Sequence, residues 1–349
     1  MSKERDLATK KYATIKDIAQ VVGTSVASVS AVLSQSDKRF VSPKLSAKIL
    51  DAAKELNYIK SSMASGLKGI NRRVIALLIP EFENSFFTRL AVGVENVARE
   101  NDYTCFLCNT LDDSAQEYRI IENVIGHRVD GIILCPTMNG KENSQLIREY
   151  GIPYVVTNRP LVGFASYDYV TSDNYQAGVI CAQELLSYNH QKIGFVGWKT
   201  DIPNVAKRQL GVQETVASSV EYYDSVLSKE LSTEAGFRCT REILSKEHGI
   251  TALVYGHHAL VPGGIAYLRE AGLRIPEDIS VIMIGLPDWA HVIAPKFTCI
   301  YLPAEEMGSL AAQMLIERIN GHRRIVESRI LQDELIKGES VSYPRQLPE

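Results

Sequence analysis

The 349-residue chain is short of cysteine and of long apolar runs, and each shortage excludes a class of protein. Six cysteines, at 105, 108, 135, 181, 239 and 299, are too few and too scattered for a disulfide framework, so a reducing cytoplasm is expected. No stretch approaches the ~18 apolar residues of a membrane span. Met1 to Ala13 is charged where a signal peptide needs an apolar run of about 7–15 residues. A soluble protein that is neither exported nor membrane-bound follows. G-x-G-x-x-G, Walker A and H-E-x-x-H patterns are also missing. Cys105-x-x-Cys108 has redox or zinc spacing, but strand alternation points the two side chains to opposite faces, and no second pair lies at zinc-site distance. Ser65-x-x-Lys68 matches an acyl-enzyme pattern without its supporting motifs, and His257-His258 lacks a third metal ligand. No catalytic residue, no metal and no cofactor is therefore assigned, and the chain is not expected to be an enzyme.

What the chain does have is a division of charge. The total of 38 Lys+Arg against 41 Asp+Glu, net −3, hides Met1 to Arg73 with 14 against 6, net +8, and a remainder with 24 against 35, net −11. The length exceeds the ~250–300 residues at which one core stops growing, so more than one domain is expected. A short basic end on a long acidic body suggests nucleic acid at the N-terminus; a solvated basic face is the alternative.

Local signals give that end a shape. Thr14-Ile-Lys-Asp17 reads as a capping box opening a helix with Ile15, Ile18, Ala19 and Val22 on one stripe. Gly23-Thr24 breaks the pattern, and Ser25 caps a second helix to about Ser34, with Val29 and Leu33 inward and Val26, Ala27, Ser30 and Ala31 on its other side. Ser42 and Pro43 open a third helix that presents Leu45, Ile49, Ala52, Ala53 and Leu56. Helix, tight turn, helix within a basic segment is the arrangement that places a second helix in the DNA major groove, a purely structural hairpin being the alternative. Lys60 to Gly69 is polar with one Leu, and reads either as a segment that folds on DNA or as a flexible linker.

From Val74 the rhythm changes to α/β with a parallel sheet. Strands are expected at Val74–Pro80, Thr104–Asn109, Gly131–Pro136 and Tyr154–Thr157, with helices at Phe86–Arg99, Ala115–Ile125 and Ser144–Tyr150. After Asp173 the pattern repeats. A helix reaches Tyr188, strands fall at Lys192–Gly197, Ala252–Tyr255 and Ser280–Ile284, and further helices lie near Lys207–Ser218, Glu234–Lys246 and Pro262–Ala271. Two α/β lobes follow the bundle.

Thr14-Ile-Lys-Asp-Ile-Ala, Gly23-Thr-Ser, Ser28-Val-Ser, Val41-Ser-Pro, Ala52-Ala-Lys-Glu-Leu-Asn-Tyr58 and Ala64-Ser-Gly-Leu-Lys68 resemble the headpiece and hinge of lactose-repressor-type (LacI/GalR) transcription regulators. The resemblance continues through Asn84-Ser-Phe-Phe87, Arg128-Val-Asp-Gly-Ile-Ile133, Asn158-Arg-Pro160, Ser172-Asp-Asn-Tyr175, His190-Gln-Lys-Ile193 and Gly272-Leu-Arg-Ile-Pro-Glu-Asp-Ile-Ser280. It implies an all-α helix-turn-helix headpiece joined to a bilobed body like periplasmic binding proteins. The implied organisation is a leader at 1–13, headpiece at 14–59, hinge at 60–73, and an effector-binding and dimerisation domain at 74–349. Its N-lobe would take about 74–172 and 300–332, and its C-lobe about 173–299 and 333–349. It further implies a cytoplasmic homodimer on a double-stranded operator, probing bases with Val26, Ala27, Ser30 and Ala31. Phosphates would meet Thr14, Ser25, Ser28, Ser34 and Tyr58, and Leu67 would wedge into the minor groove. The implied function is a repressor of catabolic or carbohydrate-related genes, controlled by a small molecule between the lobes.

Departures from the family pattern bear on specificity. Ala31 stands where many members carry a base-reading Arg, so the operator is not transferable. Asp37-Lys-Arg-Phe40 lengthens a loop, and Lys38 and Arg39 either add backbone contacts or lie in a solvated turn. In the cleft, the resemblance implies Phe86, Phe87 and Asp173, with Lys207 at the place of a clamping Arg. His257-His258, Gly285 and Leu302 replace the usual Asn-Asp, Asp and Gln. A neutral sugar would lose its hydroxyl partners there, so an anionic or aromatic effector is expected on Lys207, His257, His258 and Trp289. A degenerate cleft in a regulator driven by a protein partner, or a binding protein or enzyme on the same scaffold, are the alternatives.

Overall fold

The computed structural model describes residues 13–33, 40–59, 72–163, 166–247 and 249–345. The chain divides into two compact units, Met1–Arg72 and Arg73–Glu349.

In the first unit, three helices form where the caps put them: α1 (Ile15–Val22), α2 (Val26–Leu33) and α3 (Pro43–Glu55). The Thr14 N–H and hydroxyl both donate to Asp17 Oδ2, at 2.8 and 2.7 Å, while Asp17 N–H returns to Thr14 Oγ1. Gly23 then ends α1 at φ +68°, a left-handed cap that a Cβ would strain. Ser25 Oγ accepts from Ser28 N–H at 3.1 Å and starts α2 two residues after that turn. Ile18, Ala19, Val29, Ile49, Ala52 and Ala53 close a very small core. So few apolar groups leave each of them indispensable.

The second unit has two six-stranded sheets. In chain order its elements are β1 (Val74–Ile79), α4 (Ser85–Glu100), β2 (Thr104–Asn109), α5 (Ser114–Gly126), β3 (Gly131–Leu134), α6 (Gly140–Glu149), β4 (Tyr154–Thr157) and β5 (Asp168–Ser172). Then come α7 (Asn174–Ser187), β6 (Lys192–Trp198), α8 (Pro203–Val216), β7 (Tyr222–Ser228), α9 (Thr233–Lys246), β8 (Ala252–Tyr255), α10 (Val261–Glu270) and β9 (Ser280–Ile284). The last are β10 (Thr298–Tyr301), α11 (Ala304–Ile319), β11 (Ser328–Leu331) and β12 (Glu334–Ile336). The sheets run β11-β5-β4-β3-β1-β2 and β12-β10-β9-β8-β6-β7. All pairs are parallel except β10 with β12. The chain crosses between lobes three times: at β5 to α7, at β10 to α11, and at β11 to β12. Met307, Ala311 and Leu315 of α11 accordingly lie in the core of the first sheet with Ile75, Leu77 and Ile133.

Cys105 packs on the face of the first sheet that carries Ile75 and Leu77, and Cys108 on the face that carries Ala76 and Leu78. Alternation separates the pair, and all six cysteines are free thiols. Strands β5, β7, β11 and β12 and helix α11 carry no counterpart in the sequence reading. The strands are too polar or too short to show an apolar run; β11, for example, is exposed over its first three residues.

Helices α7 and α8 touch backbone to backbone. A Cβ on Gly178 would lie 2.1 Å from the Arg208 carbonyl oxygen, and one on Gly211 would lie 2.1 Å from that of Tyr175. Only reciprocal glycines permit this approach, and it fixes where α8 presents its side chains.

Candidate functional site: an exposed helix and an interlobe cleft

On the headpiece, α2 buries Val29 and leaves Val26, at 38% exposure, and Ala27 open to solvent, with Ser30 and Ala31 half-buried beside them. Small side chains let such a helix enter a groove deeply, and its N-terminal N–H groups favour phosphate. Thr14 and Ser25 both serve as caps, and the Ser28 and Ser25 hydroxyls meet at 2.9 Å. Tyr58 packs against the headpiece core. Ser34, Lys38, Arg39 and Leu67 lie outside the described residues.

Within the second unit, a cavity of about 210 Å³ opens where carboxyl ends of strands from both sheets face one another. This is where open α/β sheets bind ligands. The strand ends supply Pro80 and Glu81 after β1, Asp112 after β2, Asn158 and Arg159 after β4, Trp198 closing β6, and His257 and His258 after β8. Phe86 and Phe87, edge to face at 5.2 Å, enter from the start of α4. Asn158 adopts φ +61°, a conformation Asn tolerates better than most residues, and its carbonyl accepts from the hydroxyls of Tyr169 and Thr171. That turn sends Arg159 inward to pair with Asp112 at 2.5 Å. Asn204 Nδ2 of α8 reaches across to Asn158 Oδ1 at 3.3 Å. At the cavity mouth Arg89 of the first lobe pairs with Asp288 of the second.

Three expected cleft residues do not line the cavity. Lys207 is exposed, and the guanidinium of Arg208 occupies the place assigned to it. Because α8 begins at Pro203, Asn204, Arg208 and Gly211 share its inner face, while Lys207 is turned about 100° away. Arg208 Nε donates to Asn174 Oδ1 at 2.8 Å and Nη1 to the Gly256 carbonyl at 3.0 Å. Asp173 instead caps α7, its carboxylate accepting from Gln176 N–H, and the neighbouring Asn174 accepts from Arg208 Nε. Trp289 packs edge-on against Phe297 in the second lobe's core; Trp198 is the tryptophan of the cleft. The i, i+4, i+7 spacing of Asn204, Arg208 and Gly211 was a legible signal for the inner face of α8, and Arg159 sits in the Asn158-Arg-Pro160 motif, whereas nothing local marked Trp198.

His257 and His258 both line the cavity. His257 stacks on His258 with centroids 4.7 Å apart and meets Trp198 edge-on at 6.4 Å. Ala259 N–H donates to His257 Nδ1 at 3.2 Å, so the neutral ring carries its proton on Nε2. Burial, then the neighbouring His258, Arg208 and Arg159, hold His257 well below the usual imidazole range. Burial and Arg208 hold His258 at about 4. Gly285 belongs to the same change. A Cβ there would lie 2.5 Å from His258 Nδ1, so the imidazole fills the space that a longer side chain at 285 would need.

A helix-turn-helix unit joined to a two-lobed body with a ligand-sized cleft defines a ligand-responsive DNA-binding transcription regulator. Residues 14–61 match the model of bacterial regulatory proteins of the lacI family, and residues 72–339 that of periplasmic binding proteins and the sugar binding domain of the LacI family. The chain belongs to the LacI family. It is similar to the ribose operon repressor of Escherichia coli (strain K12), with 30% identity over 311 residues covering 88% of this chain and 93% of that one. Its fold matches a LacI family regulator from Enterococcus faecium with bound ribose (TM-score 0.68, 26% identity, 78% of this chain and 100% of that one). It also matches the lac repressor dimer bound to operator and an anti-inducer (TM-score 0.80, 19% identity, 95% and 100%). Among the described residues no helix is long and apolar enough to cross a membrane.

Proposed function

We propose that the protein is a cytoplasmic, homodimeric repressor of catabolic genes whose grip on a two-fold operator is set by a small molecule in the interlobe cleft. One observation carries this reading: the second helix of the headpiece leaves Val26 and Ala27 exposed over a buried Val29, on a chain whose other unit holds a ligand-sized cavity. Val26, Ala27, Ser30 and Ala31 would read base edges; Thr14, Ser25, Ser28 and Tyr58 would approach phosphates. With no Arg on that face, discrimination would rest on apolar contacts such as those to thymine methyl groups, and on DNA shape.

The ligand would act by differential affinity for two lobe arrangements. Arg89–Asp288 and Asn204–Asn158 bridge the lobes, so a molecule seated between them changes the closed arrangement directly. The named activity of the E. coli relative supports repression, and the dimeric lac repressor supports a two-fold assembly. The edge strand β2 exposes Phe106 and Leu107, at 41% and 44%, an apolar edge that a second copy would cover.

Selection of bound sites from random DNA, repeated with metabolites present, tests the reading. A two-fold symmetric site whose recovery changes with one metabolite is the expected result. Recovery of no enriched sequence would sink it.

A further inference from the structure

Building on the cleft as an effector site, we propose that its ligand is a compact polyol bearing an oxyanion, a carboxylate or phosphate group, held against Arg208 and Arg159. The cleft is rich in donors and poor in free acceptors. Two of the five N–H groups of Arg208 are taken by Asn174 and Gly256, and it makes no ion pair among the described residues. The carboxyl that acts on it, Asp333 at the β11–β12 crossover, is pushed up to about 7 by burial and so compensates the guanidinium only in part at neutral pH. Arg159 and Arg208 both act on His257, so two cations share one electrostatic neighbourhood. His257 adds a further donor through Nε2–H.

Both carboxylates that line the cavity are engaged through one oxygen. Of the two carboxylates lining the cavity, Asp112 pairs with Arg159, and Glu81 accepts from Asn84 Nδ2 at 3.1 Å. A neutral sugar would bury hydroxyl protons with few places to donate them, at the cost of leaving them unpaired. An oxyanion instead supplies the acceptors that the guanidiniums and imidazole lack, through charge-assisted bonds. Among the described residues that line the cavity, Asn204 Oδ1 is a buried acceptor with no hydrogen-bond partner, and it suits a polyol hydroxyl. Trp198 and Phe86 offer apolar faces to the carbon skeleton. The cavity of about 210 Å³ suits a ligand of roughly one sugar unit.

Differential scanning fluorimetry on the full-length protein tests this with D-gluconate, D-galacturonate and D-ribose 5-phosphate against glucose, galactose, ribose and inorganic phosphate. At least one acid is expected to raise Tm by about 2 °C or more at millimolar concentration, with no rise from its neutral parent. Whether a carboxylate or a phosphate does so identifies the source of the charge. Asn204→Asp changes almost no volume and sets a carboxylate in the cleft; it is expected to weaken acid binding at least tenfold. A neutral parent that stabilises equally, no response to any acid, inorganic phosphate matching the sugar phosphate, or an unchanged affinity in Asn204→Asp would each overturn the proposal. Operator selection on the same preparation separates the two readings. Intact selection with no acid response overturns only the oxyanion, and loss of both overturns the regulator reading beneath it.

Discussion

The headpiece and the cleft are built by opposite means. Each headpiece helix is started by residues within three positions of its first turn, and its core draws on six buried apolar side chains. The cleft gathers Glu81, Arg159, Trp198, His257 and Gly285 from strand ends spread over some 200 positions of the chain. Changes in the first should therefore be local in effect, whereas changes in the second should travel through helix packing and the lobe crossovers.

The largest expected effect tests that contrast on the cleft side. Gly178→Leu drives a side chain into the Arg208 carbonyl, a backbone atom that no rotamer change can move aside. Destabilisation of about 3 kcal/mol or more is expected in urea unfolding of the second unit, together with loss of ligand response. Next is Ile18→Ala in the headpiece. Removing a fully buried side chain should cost about 2–5 kcal/mol, more than so small a core can spare, and abolish DNA binding. The melting of the second unit, followed by calorimetry, should stay where it was; a parallel drop there would break the comparison.

Asp333 offers a test by pH. Burial raises its carboxyl from the ordinary value near 3.8 to about 7, so the folded state holds the proton more tightly than the unfolded chain. Its contribution to stability is complete below about pH 4 and is lost as pH climbs through 7. His258, held at about 4, has the opposite slope, its contribution falling away as pH drops from about 6.5 toward 4. Asp333→Asn should therefore gain in Tm relative to the parent at pH 8 and gain little at pH 5. An equal change at both values would remove the carboxyl from the account. The smallest static effect is expected from Arg89→Ala. That pair is 33% and 81% exposed, so stability should change by only about 0–1 kcal/mol. Ligand release measured by stopped flow should nonetheless quicken, because the pair spans the cavity mouth.

The same contrast explains what the sequence disclosed. Thr14-x-x-Asp17, Gly23 and Ser25 state their own geometry through short-range rules, and the alternation of apolar runs with amphipathic stretches announced the α/β class. The cleft was legible by region rather than by residue. Placing the start of α8 near Lys207 instead of at Pro203 left the phase of its inner face unset, so Lys207 was expected in the cleft where its neighbour Arg208 lies. Asp173 was placed in the cleft for a similar reason, since an N-cap carboxylate and a cavity-lining one look alike until the helix direction is known. Trp289 and Trp198 cannot be told apart by composition: one fills a core and the other walls a cavity, and only tertiary packing decides. His257, His258 and Gly285 were read as joint departures from the family pattern, and they pack as one steric unit.

The three lobe crossovers also impose an order on synthesis. The first sheet is complete only when β11, at Ser328–Leu331, joins β5, and one of its faces is covered by α4 alone until α11 at Ala304–Ile319 arrives. A nascent chain leaving the ribosome thus carries an unfinished first lobe while nearly all of the second is being made. The headpiece, whose core lies entirely within the first ~60 residues, finishes early. A sensor whose two halves are closed by the last strands of the chain has both lobes vulnerable to the same C-terminal truncation, and neither can be cut out as one continuous fragment.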